Sequence, residues 1–144
     1  MGEDVTKEEQ FYRAIKQTNP SAWDSEKNRP SSAAFKDSLG CSVDRRNLRP
    51  EDEVLSFMHN NLDTDDSKIK SIVSVTKAQC DEKEIQIKED AVKDDPVLKD
   101  NPHHCLLIRN EDKYEMTKGQ CRHLSNCCTI SENNEGIEFI SKST

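Results

Sequence analysis

Several side chains in this chain could do chemistry, and the densest group runs from Arg29 to Arg46, Arg-Pro-Ser-Ser-Ala-Ala-Phe-Lys-Asp-Ser-Leu-Gly-Cys-Ser-Val-Asp-Arg-Arg. It joins small hydroxyls and a glycine turn to guanidinium groups in an otherwise acidic protein. That chemistry suits an anion. A helix N-terminus offers unsatisfied N–H groups and partial positive charge, and arginine adds charge-assisted hydrogen bonds. The residues expected to bind a small anionic ligand are Arg13, Arg29, Ser31, Ser32, Arg45 and His103, with Arg46 as an alternative to Arg45. In the competing reading the serines only cap a helix and the arginines pair with Asp37 and Asp44.

Two other chemistries are open. His103, Cys105, Cys121, His123 and Cys127, with His104 and Cys128 beside them, are ligand types that zinc takes in a tetrahedron. No Cys-x-x-Cys or His-x-x-x-His pair organises them, and free cysteines are among the most buried residues. Buried structural thiols are therefore favoured over a metal centre. For catalysis, His103 and His104 in Asn101-Pro-His-His104 titrate near neutrality and are the candidate acid or base. Cys105 beside His104 is a poor nucleophile–base pair, because neighbours on a strand point to opposite faces. Neither a nucleophile-elbow nor a phosphate-loop pattern is present.

The elements that must position these groups are short. Thr6-Lys-Glu-Glu9 has the form of a capping box, yet Gln10–Ile15 also reads as a strand with Phe11, Arg13 and Ile15 on one face. Ser31 or Ser32 caps a short helix through about Asp37, with Gly40 as its left-handed stop. A second helix begins near Pro50 with Glu51, Asp52 and Glu53 in its first turn and Val54, Leu55, Met58 and Leu62 as its apolar stripe. Lys68–Thr76 alternates as a strand, Glu84–Lys88 more weakly, and His104–Arg109 reads as a buried strand. Thr117 caps a last helix from Lys118 to about Cys127; a turn over Ser131–Gly136 and a short strand over Ile137–Ile140 follow. Trp23 anchors the loop Thr18–Pro30. The expected fold is α+β, one small domain over residues 1–144 with frayed ends near 1–7 and 141–144. Its short mixed or antiparallel sheet has three to five strands, packed by two to four helices.

Composition narrows the function classes. The 144 residues are 32% hydrophobic and 34% charged, with net charge −7. The charge divides as +1, −7 and −1 over residues 1–50, 51–100 and 101–144, whereas Arg29–Arg49 alone is +3. An acidic chain makes a poor generic grip on nucleic-acid backbone. No run approaches the roughly 18–20 apolar residues of a membrane span. The six cysteines are expected to be reduced thiols of a cytoplasmic protein.

Phe11-Tyr-Arg-Ala-Ile15, Arg29-Pro-Ser-Ser-Ala-Ala-Phe35 with Ser42-Val-Asp-Arg45, and Asn101-Pro-His-His104 together resemble a set of small uncharacterised bacterial proteins. Tyr12-Arg13 also resembles the first strand of ADP-ribosyl transferase-like domains. That similarity implies NAD as cofactor and Arg13 and Ser32 as its contacts, with Glu111, Glu115 and Glu138 equally placed for the assisting glutamate. The leading expectation is a cytoplasmic bacterial protein that binds a small anionic ligand or a protein partner, with no cofactor favoured. An NAD-dependent ADP-ribosyl transferase-like enzyme and a zinc-stabilised interaction module are the alternatives.

Overall fold

The computed structural model describes residues 5–96 and 100–140. The expectations for residues 1–4 and 141–144 lie outside them. Val5 packs against the core, and Lys7 accepts a backbone hydrogen bond from Ala78, so the described part of the N-terminal segment is tied down.

Eight strands form among the described residues: β1 (Gln10–Lys16), β2 (Trp23–Asp24), β3 (Arg29–Pro30), β4 (Cys41–Arg45), β5 (Ile69–Thr76), β6 (Gln86–Glu89), β7 (His104–Ile108) and β8 (Thr129–Asn133). Three α-helices join them, α1 (Glu51–Leu62), α2 (Lys77–Asp81) and α3 (Lys118–Cys127). Six strands make one sheet in the order β6-β7-β4-β1-β5-β8, every pairing antiparallel, and β2 and β3 make a separate ribbon. This corrects the expected architecture. The sheet exceeds three to five strands, and the described chain is mostly β with three helices.

The extra strands have identifiable causes. Cys-Ser-Val-Asp-Arg of β4 carries two charged residues where apolar ones are expected, yet Asp44 and Arg45 are buried because each finds a partner. β8 forms over Thr129–Asn133 and takes up the first half of the turn expected over Ser131–Gly136, while Ile137–Ile140 is not a strand. The ambiguous segment 10–15 resolves as a strand because β4 and β5 flank it on both sides.

Alternation along the strands gives each face its own cluster. Phe11, Ile15, Val43, Val73, Val75, Cys105 and Leu107 share one face with Ala34, Phe35, Cys121 and Leu124, under α3 and the 3-10 turn Ser32–Phe35. On the other face Tyr12, Ile69 and Ile72 meet Val54 and Met58 of α1. The helix starts are well specified. Thr117 accepts from Gln120 N at 3.1 Å while Gln120 accepts from Thr117 N at 2.9 Å, a full capping box, and Thr76 and Gln79 repeat it at α2. Gly40, at φ +96°, turns the chain into β4 where a Cβ would stand 3.1 Å from Ile108. No described helix is long and apolar enough to cross a membrane.

Candidate functional site

The expected anion-binding residues divide between two places. Arg13 lies on β1, where its Nε donates to Ala34 O at 2.9 Å and Nη1 to Ser42 O at 3.0 Å, so it ties the 3-10 turn to β4. Arg29 reaches the end of α3, donating to the carbonyls of Ser125, Asn126 and Cys128. Cationic donors at a helix C-terminus satisfy its free carbonyls and oppose its dipole. Ser31 spends its hydroxyl on Ser21 O at 2.6 Å, and neither Ser31 nor its neighbour Ser32 caps the 3-10 turn through its side chain. Arg45 and His103 sit elsewhere, at the end of the sheet where β4 runs into α1. Asp37 accepts from Leu39 N and Asp44 from Asn101 Nδ2.

That sheet end is built on a tight turn, Arg46–Arg49, closed by Arg49 N donating to Arg46 O at 3.1 Å. Asn47 and Leu48 both have positive φ, 51° and 65°, as the central residues of a type I′ turn must. Asparagine accepts that conformation readily. Leucine does not, at a cost of roughly 1–2 kcal/mol. Leu48 is also 99% exposed, so no burial offsets the cost.

Two arginines bracket the turn and lock each other. Arg46 Nε donates to Arg49 O at 2.8 Å, and Arg49 Nε donates back to Arg46 O at 3.0 Å. Arg49 Nη2 adds a bond to Arg45 O at 2.5 Å, and Arg46 Nη1 donates to Gln10 Oε1 at 2.5 Å. All these acceptors are neutral; neither Arg46 nor Arg49 forms an ion pair among the described residues. Three surrounding carboxylates are engaged with other groups, while Glu53 in the first turn of α1 is near enough to act on the Arg49 charge. Glu9 holds Arg45 Nε at 2.6 Å and Asn47 N at 3.1 Å, Asp44 holds Asn101 Nδ2 at 2.6 Å, and Glu51 holds the Tyr12 hydroxyl at 2.7 Å. Burial first, then the bond to Glu51, pushes the Tyr12 phenol far above its ordinary value, so it stays a neutral donor.

His103 completes the ring of polar groups. Its Nδ1 lies 3.5 Å from Asn47 Nδ2. Burial first, then Arg49, holds its pKa below the usual histidine value, with Arg45 acting in the same direction. Both effects favour the neutral imidazole, which has one donor and one acceptor. His104, the other candidate acid or base, faces the opposite side of β7 from Cys105 and bonds to Asp90 through Nδ1.

The candidate metal ligands do not converge. Cys105 and Cys121 are buried in the main core, His123 Nε2 bonds Gln79 O at 2.8 Å, and Cys127 Sγ lies 3.9 Å from that same nitrogen. Among the described residues no three His, Cys, Asp or Glu side chains are arranged to hold a metal ion. Two open grooves of about 490 and 500 Å³ share Glu84, Arg109 and Asn110, away from all six expected anion-binding residues. They are shallow, and their lining mixes both charge signs without convergence.

Sequence reasoning named Arg45, Arg46 and His103 but passed over Arg49, Asn47, Tyr12 and Asn101. The available signal was Arg-Arg-Asn-Leu-Arg-Pro ahead of an acidic helix start, since asparagine often occupies left-handed turn positions. Comparison with protein-family models, curated proteins and solved structures finds no match to this chain.

Proposed function

We propose that this protein binds a small anionic ligand at the arginine turn, with Arg46 and Arg49 as the clamp and Asn47 and His103 as flanking hydrogen-bond groups. One observation carries the reading. Arg46 and Arg49 are held on one turn by bonds to neutral oxygens, and neither has an ion-pair partner among the described residues. A guanidinium with no carboxylate bonded to it gains charge-assisted hydrogen bonds from an anion that docks on it. Arginine's fork also suits phosphate and carboxylate oxygens. Of the six residues expected from sequence, Arg45 and His103 belong to this site; Arg13, Arg29 and Ser31 use the donors described above on backbone carbonyls. The cytoplasm of a bacterial cell is the proposed setting, supported by six free cysteines, five of them buried, and by the resemblance to small bacterial proteins.

The test is calorimetric titration with inorganic phosphate, pyrophosphate and nucleoside mono- and diphosphates. At least one is expected to bind, more weakly as salt rises. Arg49→Gln and Arg46→Gln should each weaken binding at least tenfold, about 1.4 kcal/mol, while the circular dichroism spectrum stays that of the parent. Equal binding by both variants, or no binding by any probe, would overturn the assignment.

A further inference from the structure

His103 is tied to the arginine turn from the segment that leads into β7. Its carbonyl accepts from Arg45 N at 2.9 Å, its amide donates to Asn101 Oδ1 at 3.0 Å, and its ring Nδ1 lies 3.5 Å from Asn47 Nδ2. The charges that reach the ring come from three other elements: Asp44 and Arg45 from β4, Arg49 from the turn, and Glu53 from the first turn of α1. On its own segment, His104 is bonded to Asp90, and Asp100 to the amide of Asp94. Burial is the largest influence on the ring and favours its neutral form; among the charges Arg49 is the strongest, and the two carboxylates oppose the two cations. An anion docked on Arg49 changes that balance, because it neutralises the cation that acts most strongly on His103.

We infer that His103 couples anion binding at the turn to proton uptake, so that the imidazole gains a proton from solvent as the anion binds and the site tightens as the pH falls. This rests on the reading of Arg46 and Arg49 as an anion clamp. The sign follows from the form that each neighbour favours. In the free site burial, then Arg49, keeps the ring neutral to lower pH than an ordinary histidine. With an anion bound, the imidazolium gains a negative neighbour and loses a repulsive one, so the proton is held to higher pH. Affinity is therefore greatest below the free-state pKa, falls as pH rises towards the bound-state pKa, and levels off above it. A rise of about one unit makes that difference about tenfold. Asn47 suits the exchange, since its amide has a donor end and an acceptor end and serves either form of the ring.

A pH titration of the full chain by nuclear magnetic resonance, free and saturated with pyrophosphate, reads the His103 ring directly. Saturation should raise the His103 midpoint by about one unit. Arg49→Gln should raise the midpoint of the free protein, because the strongest cation is gone, and should remove the further rise at the same pyrophosphate concentration. Affinity gives a second, independent readout. The ratio of parent to His103→Gln binding constants should climb about tenfold between about pH 8 and pH 5, the ionisation of the probe cancelling between the two proteins. A His103 midpoint that pyrophosphate leaves unmoved, while binding still depends on Arg49, overturns the inference and leaves the binding site standing. A flat affinity ratio, or a free midpoint unchanged by Arg49→Gln, also overturns it. If pyrophosphate does not bind, the inference falls, and the phosphate and nucleotide titrations decide whether the site falls with it.

Discussion

His59 is held between two carboxylates, Nδ1 2.6 Å from Asp63 and Nε2 2.6 Å from Glu132, so one imidazolium ties the end of α1 to β8. Its burial alone would lower the histidine pKa, but the hydrogen bonds to Asp63 and Glu132 and their charges outweigh it, and the net shift is upward. Asp63 shifts the other way: burial opposes ionisation, but His59 and the amide of Ile69 win. A histidine raised in the folded state stabilises fully below its ordinary value of about 6.5, and that contribution fades as pH climbs through the raised pKa. The depressed Asp63 contributes above its ordinary value of about 3.9 and loses that contribution as pH falls through its native one. The clamp therefore stabilises most between about pH 4 and 6.5. In urea titrations, His59→Gln should cost about 1–2 kcal/mol near pH 6 and progressively less above neutrality. A pH-independent cost would show that the imidazole acts only by packing. Nothing in the sequence joins His59 to Glu132, because their contact depends on where β8 falls. The same limit applies to the arginines: sequence shows that a guanidinium is present but not whether it ends on neutral oxygens, as for Arg13, Arg29, Arg46 and Arg49, or on a carboxylate, as for Arg45 with Glu9.

At the scale of elements, α3 depends on a residue from a distant strand. Arg29 gathers three carbonyls at its C-terminal end, and its Nη2 lies 3.6 Å from Cys128 Sγ. Arg29→Ala should cost about 2 kcal/mol by urea denaturation and raise hydrogen exchange in the last turn of α3, because those carbonyls lose a charged donor. Arg29→Lys should recover part of the loss; full stability in the alanine variant would rule out the cap. The elements read correctly from sequence carry strong local signals. β5 has a β-branched alternating run, α1 an acidic first turn, and α3 a threonine with glutamine three residues on. The missed ones lack such signals or hide them. β4 seats Asp44 and Arg45 in buried positions through Asn101 and Glu9, partners that the sequence cannot place. The five residues of α2 have a capping box at Thr76 and Gln79, but the strand signal of β5 runs straight into it. β8 is short and polar, and its pairing with β5 makes it a strand.

Across the whole molecule, five of the six cysteines are buried and Cys127 is half-buried, all without disulfides. Burial is the main cause of every shift and pushes Cys80 and Cys105 up to about 12, Cys121 and Cys127 to about 11. The native protein should therefore react slowly with iodoacetamide at neutral pH, taking up label first at Cys127, and should label at all six positions once unfolded. Mass spectrometry of the native and denatured reactions reads this directly; rapid native labelling at Cys80 or Cys105 would contradict the packing. Because each raised thiol resists ionising when folded, stability should also fall as pH rises past the ordinary cysteine value of about 8.5. The sheet order has a consequence for how the chain is made. β1 leaves the ribosome before β4 and β5, yet it sits between them and pairs along nearly its whole length with β5, from Gln10 against Thr76 to Lys16 against Ile69. Until synthesis passes Thr76, the apolar strand Phe11–Ile15 lacks its main neighbour, and non-local pairing of this kind is slow. The growing polypeptide must carry an unpaired central strand for much of its translation, so a ribosome stalled before β5 would present a sticky, incomplete product to whatever chaperones are at hand.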